Sequence, residues 1–161
     1  MEIRVKKAEE RIKQKQSIKQ LEPTGYSFKP TDDYEMALLI ANPFVLKKIS
    51  PDWILIDFNG QADFDCLVYD RKKRSYFRVE LEPSLDKFIG QSIPDQTEII
   101  VTWTKGDWKV GKVKKGKIGY YELLENKDGL AHYKLLIKSS EKAKEPKHEF
   151  EVFCIDKFIR V

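Results

Sequence analysis

The stretch DFDCLVYD-RKKR-SYFRVELE, residues 63–82, decides the fold. Its two flanks alternate apolar and polar residues with the period of a β-strand, and the four basic residues between them form a short turn, so the segment predicts a β-hairpin. On the second strand Val79 and Leu81 point one way while Arg78, Glu80 and Glu82 point the other. A symmetric loop, whether Lys72 and Lys73 alone or Arg71 to Arg74, sets Asp65 opposite Glu80 and Asp63 opposite Glu82. Four carboxylates then share one face at the open end of the hairpin. Such a group is either solvated decoration or a site, because like charges facing each other across strands destabilise a sheet unless a cation or a basic neighbour such as Arg78 relieves them.

The neighbouring segments build a mixed sheet around this hairpin. TDDYEMALLIANPFVLKKI, from Thr31, predicts a helix capped by Thr31, with Asp32 and Asp33 suited to its positive end, Glu35 closing the first turn, and Pro43 kinking or interrupting it. WILIDF at 53–58 reads as a fully buried strand, SLDKFIGQ after Pro83 as a short helix, and EIIVTW at 98–103 as another buried strand. Further on, IGYYELL, HYKLLIK and FEVFCID predict three antiparallel strands, the first two turning at Asn126 to Gly129. The expected class is α/β, with a core of helix, three strands, helix and strand, and a C-terminal antiparallel β extension. The chain divides accordingly into a helical linker or N-terminal arm at 1–30, a core at 31–105, and a basic loop with the β extension at 106–161.

Composition narrows the setting. The 161 residues suffice for one well-cored domain, and 41% hydrophobic with 35% charged residues describes a globular chain with a crowded surface. The net charge of +4 lies in residues 1–20, which hold seven Lys/Arg against three Asp/Glu, so the remainder is balanced. No apolar run approaches the ~20 residues of a membrane helix, and MEIRVKKAEERIKQKQ lacks the apolar core of a signal peptide, so the expectation is a cytoplasmic protein with no membrane partner, the nucleus left open. Cys66 and Cys154 each sit in an apolar strand and are expected as buried free thiols.

Basic residues cluster at RKKR and in KGDWKVGKVKKGK, 105–117. The second cluster nearly spells a phosphate-binding loop, but Ile118 stands where Ser or Thr must hold Mg²⁺ and no buried strand leads into it, which excludes ATP binding there. A solvated loop and a phosphate-holding surface both fit it. As a nucleic-acid surface it offers Lys105, Lys109, Lys112, Lys114, Lys115 and Lys117, with Trp108 to stack on bases, whereas Trp103 ends a buried strand and belongs to the core. His132 and His148 lack metal-ligand spacing with either cysteine, which argues against zinc.

From Gly60 to Glu82, GQADFDCLVYDRKKRSYFRVELE resembles the active-site hairpin of the PD-(D/E)XK, or restriction-endonuclease-like, superfamily. RVELEPSLDKF followed by EIIVTW is similar to nuclease-like modules at the C-terminal end of large histidine-kinase-type ATPase proteins: Glu80, Glu82, Phe88, Ile100, Val101 and Trp103 match, and Thr102 replaces a Cys. The resemblance implies a restriction-endonuclease-like core and a metal-dependent endonuclease that hydrolyses DNA phosphodiester bonds, with RNA left open. It implies Mg²⁺ or Mn²⁺ held by Asp63, Asp65, Glu80 and Glu82, and catalysis by Asp65, Glu80, Glu82 and Lys87. Glu82 takes the place of the family's lysine, Lys87 either reaches back to substitute for that lysine or is a surface helix lysine, and Glu35 matches an acidic residue that some members contribute from the first helix. Implied partners are DNA and an upstream ATPase domain or a second copy. The alternative is a catalytically inactive module of the same fold that binds nucleic acid or a protein.

Overall fold

A computed structural model describes residues 29–58, 65–91 and 97–159. The expected N-terminal arm at 1–28 and Asp63 lie outside the described residues. Two short helices, α1 (Asp33–Ala41) and α2 (Pro43–Ile49), precede strands β1 (Trp53–Phe58), β2 (Cys66–Asp70) and β3 (Ser75–Ser84). A one-turn helix α3 (Leu85–Phe88) leads to β4 (Ile99–Thr104), followed by β5 (Val113–Lys115), β6 (Tyr120–Glu125), β7 (Tyr133–Lys138), β8 (His148–Cys154) and a closing 3₁₀ turn (Ile155–Lys157). All eight strands join one mixed sheet in the order β1-β2-β3-β4-β8-β7-β6-β5. β4 pairs in parallel with β3 and with β8, and every other neighbouring pair is antiparallel. The strands expected as a C-terminal extension are therefore the second half of the same sheet.

Each face of the sheet covers its own core. Met36, Leu39, Ile40, Val45, Leu46 and Ile49 of the helices pack on Cys66, Val68, Val79, Leu81, Val101 and Trp103. On the other face Leu85, Phe88 and Trp108 pack on Ile100, Tyr121, Leu135, Phe150 and Val152. Cys66 and Cys154 are buried free thiols, as expected, one in each cluster. No helix among the described residues is long and apolar enough to cross a membrane.

Local chemistry sets the element ends. Asp32, rather than Thr31, caps α1 by accepting the Glu35 N–H at 2.9 Å, and Thr31 instead donates its N–H and Oγ1 to the Glu35 carboxylate at 2.7 and 2.9 Å. Pro43 does not bend one helix but begins a second, where its missing N–H is no loss, after Asn42 has accepted the Phe44 N–H. WILIDF is not fully buried: β1 is an edge strand with Trp53 buried and Ile54, Ile56 and Phe58 exposed, and its pairing shifts between Leu55 and Asp57. Pro83 does not end β3: the strand runs through it, and it is skipped in the parallel ladder to β4 as the pairing passes from Glu82–Thr102 to Ser84–Thr104.

The hairpin has the four-residue loop Arg71–Arg74. Asp70 is buried at its base, accepting the N–H groups of Lys72 and Lys73 at 2.9 Å through one oxygen and the Trp53 indole N–H at 3.2 Å through the other. Arg74 closes the turn at φ 53°. The register that follows pairs Asp70 with Ser75, Val68 with Phe77 and Cys66 with Val79, which carries the chain to Asp65 and Glu80 at the open end.

Candidate functional site

Asp65 meets β3 at the point where β2 begins. Its N–H donates to the Val79 carbonyl at 3.2 Å, and its carboxylate accepts the Leu81 N–H at 2.7 Å. The side chain thus fills the place of a strand carbonyl and stands beside Glu80, with which it shares a hydrogen bond. Glu80 and Glu82 are both buried, at 7% and 2% exposed, on the β3 face whose β4 neighbours are Ile100 and Thr102.

Two carboxyls this deep resist ionisation. Burial first, and then the Asp65 charge and hydrogen bond, push Glu80 up to about 8, with Glu82 and Asp33 adding to the repulsion. Burial and the Asp33 charge push Glu82 up to about 7, against the lowering effects of a Gln91 hydrogen bond and the Lys87 ammonium. Asp33 itself is shifted upward by burial and by Asp65. It is therefore Asp33, in the first turn of α1, that adds an acid to this cluster from the helix. Glu35, to which the resemblance assigns that part, is engaged by Thr31. The missed signal was the apolar stripe: Asp33 lies three residues before Met36 and seven before Ile40, both buried, and so shares the helix face turned to the sheet.

Lys87 is exposed on α3, donates to the Thr31 carbonyl at 3.3 Å, and lowers the pKa values of both Asp33 and Glu82. Its charge consequently bears on the acidic cluster. Among the described residues no three His, Cys, Asp or Glu converge in a way that could hold a metal ion. Glu82 does not join Asp65 and Glu80 in one shell. The adjoining pair still fits a hard divalent cation in kind and number, since Mg²⁺ is commonly held by one or two carboxylates and completes its octahedron with waters and phosphate oxygens.

The residues of the basic stretch differ in their surroundings. Trp108, expected to stack on bases, is fully buried in the second core, where its indole N–H donates to the Lys112 carbonyl at 3.0 Å and the Lys114 ammonium lies 4.8 Å from its ring centre. Lys105 donates to the Trp108 carbonyl at 2.8 Å, and Lys114 pairs with Asp86 of α3 at 2.5 Å. Lys109, Lys112, Lys115 and Lys117 are exposed. Lys114–Asp86 and the Lys117 N–H to the Ile89 carbonyl at 3.0 Å tie this stretch to the helix that follows Glu82. His132 accepts the Cys154 N–H at 3.0 Å through Nδ1, a structural use of the imidazole.

No family model, curated protein or solved structure matches the chain.

Proposed function

We propose that the chain is a metal-dependent endonuclease that hydrolyses DNA phosphodiester bonds from a restriction-endonuclease-like core. The observation that carries this reading is the Asp65–Glu80 pair: two carboxyl groups held side by side across β2 and β3, with Glu82 buried on the same strand and Asp33 adding charge from α1. The order α1, β1 to β3, α3, β4, with β3 and β4 parallel, agrees with such a core. A Mg²⁺ or Mn²⁺ ion bound there would supply the positive charge that polarises a phosphodiester and acidifies a water molecule. Asp65 and Glu80 would hold the ion, with the Asp65 carboxylate fixed by the Leu81 N–H. Glu82, one side-chain step along the same face, accepts the proton of the attacking water. Lys87 offsets negative charge that develops beside Glu82, and the exposed lysines 109, 112, 115 and 117 hold neighbouring phosphates.

A second reading, an inactive module of the same fold that binds nucleic acid or a protein, is favoured by one observation. The position where the resemblance expects lysine is a glutamate only 2% exposed. Calorimetric titration with Mg²⁺ and Mn²⁺, paired with nicking of supercoiled plasmid DNA, separates the two. Metal binding and nicking that both vanish in Asp65→Asn are the expected result. A protein that takes up neither ion, with or without DNA, leaves the inactive module.

A further inference from the structure

Among the described residues, the half of the sheet nearest its β1 edge has one face that neither core covers. Ile54, Tyr69 and Tyr76 lie in register across β1, β2 and β3, and Leu67 pairs with Arg78 one step closer to Glu80. None of these five belongs to either buried cluster. Tyr76 is 62% exposed and Ile54 41%, and the two tyrosine rings lie 5.0 Å apart. The Arg71–Arg74 turn borders one end of this face, with Lys72 and Arg74 exposed. Asp65 and Glu80 border the other end, four strand residues or about 13 Å beyond Tyr76.

We propose that this open face is a platform for single-stranded DNA: Tyr76 and Tyr69 stack on unpaired bases, Lys72 and Arg74 take phosphates, and the strand runs along β3 toward Asp65 and Glu80. An aromatic surface on a sheet suits bases that have left their partners, because a duplex keeps its base faces stacked inside. The adjoining cations give the face the charge that a polyanion complements and an apolar protein surface would not need. The direction of the strand toward the carboxylates rests on the endonuclease reading. The platform itself does not.

The test is fluorescence anisotropy with a labelled oligothymidylate of about 20 nucleotides and the matching duplex, in chelator and at fixed salt. The full chain is expected to bind the single strand at least about tenfold more tightly than the duplex. Tyr76→Ala weakens single-strand binding by about fivefold to a hundredfold, the loss of one base stack, while Tyr76→Phe retains it. Because Tyr76 is exposed, both variants keep the parent's thermal midpoint, which controls for folding. Equal or tighter binding of the duplex, binding of neither probe, or a Tyr76→Ala loss under about twofold overturns the platform. Single-strand binding that depends on Tyr76, without any uptake of Mg²⁺ or Mn²⁺, upholds the platform and overturns the endonuclease reading. Metal-dependent nicking with Tyr76→Ala binding unchanged does the reverse.

Discussion

The Asp65 carboxylate accepts the backbone N–H of Leu81 at 2.7 Å, so one residue serves both the sheet ladder and the acidic cluster. The two duties separate on substitution. Asp65→Asn keeps an oxygen for Leu81 and removes the charge beside Glu80, and is expected to raise metal-free stability by about 0.5–2 kcal/mol while abolishing metal uptake. Asp65→Ala leaves the Leu81 N–H without its acceptor and costs about 1–3 kcal/mol. Urea unfolding in chelator ranks the three proteins, and an Asn variant less stable than its parent contradicts the electrostatic account.

Acidity gives a second expectation. Glu80 at about 8 and Glu82 at about 7 hold their protons more tightly when folded than the 4.5 of a free glutamate, so their stabilisation is complete below 4.5 and is lost as pH rises through 7 to 8. His132, lowered from 6.5 by burial and by Lys157, works in the opposite sense: its contribution is present above 6.5 and lost as pH falls. In chelator the thermal midpoint therefore drops between pH 6.5 and 8 by at least about 2–4 °C, the shift that 1 kcal/mol makes in a chain of this size. Glu80→Gln flattens most of that drop. Scanning calorimetry across this range checks it.

Replacing Lys109, Lys112, Lys115 and Lys117 together by Gln is expected to weaken DNA binding and make its salt dependence shallower, by close to one unit of slope for each phosphate that is no longer neutralised. Thermal stability stays near the parent's, since all four side chains are exposed. Titrations at several salt concentrations give the slope, and an unchanged value identifies the stretch as a solvated loop.

Trp108→Ala should cost about 3–5 kcal/mol, because it empties a fully buried site and frees the Lys112 carbonyl from its indole partner. Denaturant unfolding measures the loss. A change under about 0.5 kcal/mol would place Trp108 at the surface after all.

How much of this could be read from residue order differs by element. The hairpin register was legible because its basic loop is bracketed by two clean alternations, and the structure adds Asp70 as the residue that pins the turn. β4 was legible as an apolar run and sits at the sheet's centre with both neighbours parallel. WILIDF misled for the same reason, since an apolar run does not say how many strands flank it. Trp108 and β5 were hidden by their surroundings: in a stretch of lysines and glycines, burial comes from a single indole with the Lys114 ammonium over its ring, which leaves no period to detect. Asp33 was missed because two acids fall in the first turn of α1, and only the spacing from Asp33 to the buried Met36 and Ile40 tells which one faces the sheet.

The insertion of β8 between β4 and β7 has a consequence for how the chain is made. Until residues 148–154 have left the ribosome, β4 has only β3 beside it and β7 only β6, so the nascent chain holds two half-sheets with raw apolar edges. Val101 and Ile100 would line one of those edges, and such edges recruit foreign strands. The β4–β8 pairing is parallel and sequence-distant, a kind of closure that forms slowly, so the β4 edge stays open to other strands until β8 arrives.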